Sequence, residues 1–153
     1  IKMGEGSNLE FKSTLQWDVV EDRQNKALRD SVLKTLAAFM NSNGGSLLIG
    51  VEDSGHIFGL DKDLSILGGS QDRFFQLLSS LIADKIGPQY ASLVNPQIED
   101  LDGKQICVAK TAKSSEPAFL GGQRGREFFV RVGNTTRALD PEQTVNYIEL
   151  NGL

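Results

Sequence analysis

At 153 residues, with 39% hydrophobic and 24% charged residues, the chain has the makeup of one globular domain spanning 1–153 with a sizeable core. One cysteine, Cys107, and one histidine, His56, exclude an internal disulfide, a Cys/His zinc site and a histidine-cluster metal site. A net charge of −4 argues against indiscriminate nucleic-acid binding, and no apolar run approaches the roughly 20 residues of a bilayer-spanning helix, so no membrane partner is expected and a cytoplasmic location is.

The opening IKMGEGSN lacks the apolar stretch of a signal peptide. A start at Ile1 is that of a fragment, so additional domains are expected outside this chain. NLEFKS (8–13) alternates apolar and polar residues and reads as a half-buried strand, with Leu9 and Phe11 on one face and Glu10 and Lys12 on the other. From Asp22 to Ser42, Leu28, Val32, Leu36 and Met40 recur every four residues and predict an amphipathic helix. Asn41-Ser-Asn-Gly-Gly45 ends it, and SLLIGV (46–51) is apolar enough for a central strand covered on both faces. EDSG (52–55) is a turn, with HIFGL (56–60) expected to return as a hairpin partner.

A second helix is expected from about Ser70 to Ile86, stopped by Gly87-Pro88. Asp102-Gly103 joins strands near 93–101 and 104–111, and 112–126 reads as a loop. REFFVRV (126–132) is a further strand, and Asp140-Pro141-Glu142-Gln143 carries the N-cap, N1 proline and capping-box glutamine of a last helix. The expected fold is α/β (α+β): a mixed, mostly antiparallel sheet of about six strands packed with about three helices.

Charge is unevenly spread. Residues 41–103 carry three basic and nine acidic side chains, whereas 104–153 carry seven basic and five acidic. Lys110, Lys113, Arg124, Arg126, Arg131 and Arg137 are therefore candidate nucleic-acid contacts, against the plain reading of a solvated face. Arg131, between Val130 and Val132, should point away from the core. The hydroxyls of Thr135 and Thr136, before Arg137, suit a phosphate. Trp17 reads as a core plug, with base stacking as the alternative.

Four segments stand in a telling order. Glu5-Gly-Ser-Asn-Leu-Glu10-Phe-Lys12 comes first, then Ala38-Phe-Met-Asn41-Ser-Asn-Gly44-Gly45. Gly50-Val-Glu-Asp53-Ser-Gly55 leads on to Gly59, and Phe129-Val-Arg131-Val-Gly133-Asn-Thr-Thr-Arg137 precedes the last helix. In this order they resemble the Schlafen AlbA_2 domain family over essentially the whole chain. The resemblance implies a DNA-binding or RNA-binding module of a prokaryotic transcriptional regulator or defence protein. From the vertebrate members it implies a nuclease-like alternative, a metal-dependent endoribonuclease whose catalytic and metal-binding acids match Glu5, Glu10 and Asp53, with Lys12 assisting.

Mg²⁺ or Mn²⁺ held by such acids would activate water at a phosphodiester. Plainer readings stand beside this one: Asp53 and Gly55 suit a tight turn, Glu10 and Lys12 suit a solvent-facing strand pair, and Glu5 lies in a Gly/Ser-rich terminal stretch. The vertebrate enzymes also carry two lobes and a zinc site, and a homodimer of this single lobe would restore the first of these. An inert protein-interaction or dimerisation domain is the third alternative.

Overall fold

The computed structural model describes residues 4–153; the opening Ile1-Lys2-Met3, read above for a signal segment, lies outside them. The alternating stretch forms β1 (Leu9–Lys12), and a small hairpin of β2 (Trp17–Asp18) and β3 (Arg23–Gln24) follows. The apolar four-residue spacing then makes α1 (Leu28–Asn41), and the apolar run makes β4 (Gly45–Ile49). A short α2 (Asp61–Ile66) precedes α3 (Gln71–Lys85), whose N-cap Ser70 accepts from Arg73 N–H. A 3₁₀ turn at Pro88–Leu93 leads into β5 (Val94–Leu101) and β6 (Lys104–Thr111). The C-terminal part is β7 (Phe119–Gly122), β8 (Gly125–Val132), β9 (Thr135–Leu139) and α4 (Pro141–Asn151), the last opened by the expected Asp140–Gln143 capping box.

The larger sheet has the order β1-β4-β6-β5, with β1 parallel to β4 and the other pairs antiparallel. Strand alternation sends its side chains two ways. Leu47, Ile49, Cys107 and Ala109 enter the main core with α1 and α3, while Phe11, Leu48, Val51 and Ile106 form a smaller cluster on the opposite face. The second sheet, β7-β8-β9, packs on α1 from its other side. α1 therefore touches both sheets, which explains why Val32, Leu33 and every residue from Thr35 to Asn41 are buried.

The end of α1 locks the two sheets together. Asn41 is fully buried, and its Nδ2 donates to Ala118 O (2.8 Å) and Phe129 O (2.9 Å) while its Oδ1 accepts from Ala118 N–H (2.8 Å). Tyr147 of α4 closes the joint by donating to Asn41 O at 2.6 Å. At Gly45 a Cβ would stand 2.6 Å from the Phe39 ring, and at Gly44, with φ +74°, 2.7 Å from Thr111 O. Only glycines allow the helix to turn so closely into β4.

The mixed architecture is as expected, but it is divided. The described residues form three sheets rather than one of about six strands, and four α-helices rather than three. Strands of two to five residues, such as β2, β3, β7 and β9, are too short to print an alternation. The β2–β3 hairpin also takes residues assigned to α1, whose start moves from Asp22 to Leu28. HIFGL supplies a single bridge, Val51 to Ile57, because Phe58 and Gly59 N–H turn back to Gly50 O. No helix of the described residues is long and apolar enough to cross a membrane.

Candidate functional site

Gly6 and Leu9 exchange backbone hydrogen bonds (2.9 and 3.5 Å), so the chain doubles back just before β1. That turn lays Glu5 over the strand, where its Oε1 accepts from Phe11 N–H at 2.9 Å. Glu10 Oε2 accepts from the same N–H at 3.3 Å. Two carboxyl groups thus converge on one amide, close enough for each to shift the other's titration. Burial, the adjoining Glu10 carboxyl, and the charges of Glu10 and Asp53 push Glu5 up to about 7, although the Phe11 amide pulls the other way. Burial alone would raise Glu10 too; the adjoining Glu5 carboxyl, the Arg131 hydrogen bond and the Lys12 and Arg131 charges hold it below the ordinary carboxylate range.

Arg131 is the cation of this site. Its Nη1 donates to Glu10 Oε1 (2.8 Å) and Thr136 Oγ1 (3.0 Å), and its Nη2 donates to Gly6 O (2.6 Å). The guanidinium carbon lies 5.1 Å from the Phe39 ring centroid, and the side chain is 1% exposed. The expectation that Arg131 points outward is therefore corrected, because the face of β8 bearing it is covered by α1 and the Gly6 turn. Glu10, for which a solvent-facing strand position was an alternative, is 8% exposed for the same reason. Thr136 is occupied by Arg131, and Thr135 Oγ1 donates to Val132 O at 2.7 Å, so both hydroxyls are already engaged within the protein.

Asp53 is exposed on the turn closed by Gly55 N–H to Glu52 O (2.8 Å), and it shares a groove with Lys12. Among the described residues no three His, Cys, Asp or Glu side chains form a group that could hold a metal. Glu10 Oε1 is taken by Arg131 and Glu5 Oε1 by Phe11 N–H, so the acids as arranged do not form a three-carboxylate cation site. His56 faces Glu52 at 3.6 Å, with both side chains exposed.

The remaining predicted cations are carried by different elements. Lys110 is exposed on β6 beside Ser46 and Asn95, and Lys113 is exposed just beyond that strand. Arg126 donates from Nη2 to Ile86 O (3.1 Å) and Phe119 O (3.0 Å). Arg137 is exposed on β9 opposite Val130. Arg124, at the β7–β8 tip, opens onto a groove of about 950 Å³ between α1, α3 and that hairpin.

This groove gathers cations that sequence reading missed: Lys26, Arg29, Lys34 and Lys85 join Arg124, against Asp30, Asp84 and Glu127. Lys34 is paired with Asp30 at 3.2 Å, and Arg29 donates to Gln16 Oε1 from Nε (2.9 Å) and Nη2. Lys26, Lys85 and Arg124 make no ion pair among the described residues. Arg29, Asp30, Leu33 and Lys34 share one face of α1 at three- and four-residue spacing, with Lys26 in the turn before it; periodicity could have marked this one wall but not its partners. Asp63 was also missed. It is 1% exposed and accepts from Leu15 N–H (2.7 Å) and Gln16 N–H (3.0 Å), and burial raises its carboxyl although those two bonds oppose the shift. No local pattern announces a partner nearly fifty residues away.

Fold and site together define a single mixed α/β domain with two glutamates converging beside a buried arginine at a sheet edge. The chain belongs to the Schlafen AlbA_2 family, whose model matches residues 5–140. Among solved structures it is similar to the DIP2311 protein from Corynebacterium diphtheriae, with a TM-score of 0.68 and 19% identity over 95% of this chain; it spans 27% of that protein. It is also similar to the N-terminal domain of a RecG-related protein from Nitrosomonas europaea, whose name classes it with ATP-dependent DNA helicases. There the TM-score is 0.51 and the identity 20%, over 88% of this chain and 84% of the other. No curated protein matches the sequence.

Proposed function

We propose that this domain binds nucleic acid through its phosphate backbone, with the cation groove as the contact surface. The carrying observation is the gathering of Lys26, Arg29, Lys34, Lys85 and Arg124 in one concavity of a chain whose net charge is −4. Family membership and the helicase-class name of one structural neighbour support the same reading. Cations so arranged contact phosphates rather than bases, so binding is largely sequence-independent and steeply salt-sensitive. Three to five phosphate contacts give a slope of log K against log salt of roughly −3 to −4.5 on duplex DNA. Charge reversal at Lys26, Lys85 and Arg124 removes most of that affinity. Gel retardation at several salt concentrations tests this; unchanged affinity in the triple variant refutes it.

A second reading, a metal-dependent nuclease, is favoured by the meeting of Glu5 and Glu10 with Asp53 close enough to act on Glu5. It requires Glu10 to leave Arg131 and turn toward Asp53. Incubation of labelled transfer RNA and DNA with and without Mn²⁺ decides it. Cleavage that is lost in Glu10→Gln while binding persists supports this reading, and intact probes refute it.

A further inference from the structure

Trp17 is the only tryptophan in the chain, and the cation groove does not use it. Thr14 fixes its backbone twice: Thr14 Oγ1 donates to Trp17 O (2.6 Å) and accepts from Trp17 N–H (3.2 Å). The indole N–H donates to Asp22 Oδ1 at 3.3 Å, and Lys62 Nζ stands 5.3 Å from the ring centroid. The ring is half-buried and belongs to neither core cluster, contrary to the expected core plug.

It instead lines a second groove, of about 320 Å³, with Phe11, Lys12, Thr14 and Asp53. Leu28 and Ser31 of α1 form its other wall. Val19 and Val20, on the turn from β2 to β3, are 47% and 94% exposed. The volume lies at the low end of the roughly 300–1,000 Å³ of small-ligand sites, too small for a helix and suited to one planar ring with its sugar. An aromatic wall, the Lys12 ammonium and the Ser13 and Ser31 hydroxyls match a base joined to a phosphate, which would sit on the Lys12 side, away from the Asp18 and Asp53 carboxylates of the same lining. An aromatic surface of this kind engages only bases that are already unpaired.

The position relative to the first groove supports the same occupant. Leu28 and Ser31 face the smaller groove, and Lys26, Arg29 and Lys34 face the larger, so only the first turns of α1 separate them. A helix is about 10–12 Å across, a distance a few nucleotides span. We propose that the smaller groove receives an unpaired nucleobase stacked on Trp17, with its phosphate on Lys12, so that the domain takes single-stranded nucleic acid in preference to duplex. This rests on the backbone-binding reading above.

The sole tryptophan makes the test direct. Three DNA probes of roughly 12 nucleotides are compared: a mixed-sequence single strand, its duplex, and an abasic strand that keeps only the phosphates. The single strand is expected to quench Trp17 emission and to bind tighter than the other two. Trp17→Ala should lower single-strand affinity about 5- to 150-fold, with duplex and abasic affinity unchanged, and Trp17→Phe should restore most of the loss. Unchanged emission at saturation with single strand overturns the proposal, as does an equal loss on all three probes in Trp17→Ala. If duplex and abasic strands bind while emission stays constant, only the base pocket fails; if no probe binds, the backbone reading fails with it.

Discussion

Replacing Arg131 by methionine separates a structural arginine from a nucleic-acid contact. The guanidinium is 1% exposed and its partner Glu10 carboxylate 11%, so the substitution leaves a buried negative charge without its cation. Breaking a buried pair in this way costs about 3–5 kcal/mol, because the orphaned ion keeps its desolvation penalty. Lost donors to Thr136 and Gly6 add about 0.5–1.5 kcal/mol each, partly offset by methionine filling the space beside Phe39. A net loss of about 4 kcal/mol is a large part of the roughly 5–15 kcal/mol that holds a domain folded. At about 2–4 °C per kcal/mol for a domain of this size, melting falls by roughly 8–16 °C.

Urea denaturation followed by circular dichroism reads this as a lower midpoint at unchanged slope. Glu10→Gln combined with Arg131→Met should recover at least half of the loss, since neither charge then remains. The single-variant loss should also shrink in acid, where Glu10 takes up a proton. A loss below about 1 kcal/mol in Arg131→Met, or no recovery in the double variant, refutes the reasoning. Nucleic-acid affinity of the folded Arg131→Met protein should be unchanged, the opposite of what an outward-pointing phosphate contact predicts.

Asn41→Ala orphans Ala118 N–H, Ala118 O and Phe129 O, at about 1–3 kcal/mol per unsatisfied group. Asn41→Asp should be worse at pH 7, because it turns a carboxylate oxygen toward two carbonyl oxygens; equal stability of the Asn41→Asp variant and the parent in urea refutes the joint. Glu5 gives a pH dependence. Its folded value near 7 exceeds its ordinary one, so its stability contribution is complete below about 4.5 and lost as pH rises through 7. Glu10 is shifted the other way, and its contribution is lost as pH falls. The urea midpoint should therefore drop between about pH 4.5 and 7 on Glu5's account, and Glu5→Gln should flatten that drop; parallel profiles would be the contrary result. Burial pushes the Cys107 thiol up to about 12, so a thiol reagent at pH 8 should label it only in urea. Prompt labelling of the native protein contradicts this.

What was legible in the sequence follows from the length and coverage of each element. α3 and α4 announced themselves through apolar periodicity and capping residues, and β5–β6 through Asp102-Gly103, where Asp102 adopts φ +52°. The convergence of Glu5 with Glu10 was anticipated only through the family pattern, because a tight Gly6–Leu9 turn has little signature of its own. Alternation misled at Glu10 and Arg131 because it assumes one wet face. β1 and β8 are each covered on the side that carries these charges, so a polar residue there faces another polar residue rather than water. The cation groove was illegible for a different reason: its walls come from α1, α3 and the β7–β8 tip, which only the tertiary fold brings side by side.

β1 is an outer strand of its sheet, and outer strands invite a second polypeptide to add on and prolong the ladder. Turning an ionised glutamate inward beneath such a strand works against that, since an added chain would seal the charge further from water. The Phe11 N–H of that strand is moreover already taken by the Glu5 and Glu10 carboxyls, which leaves one donor fewer for an added strand. A redesign that makes this corner apolar would remove both the inward charge and those acceptors, leaving the outer strand more open to pairing.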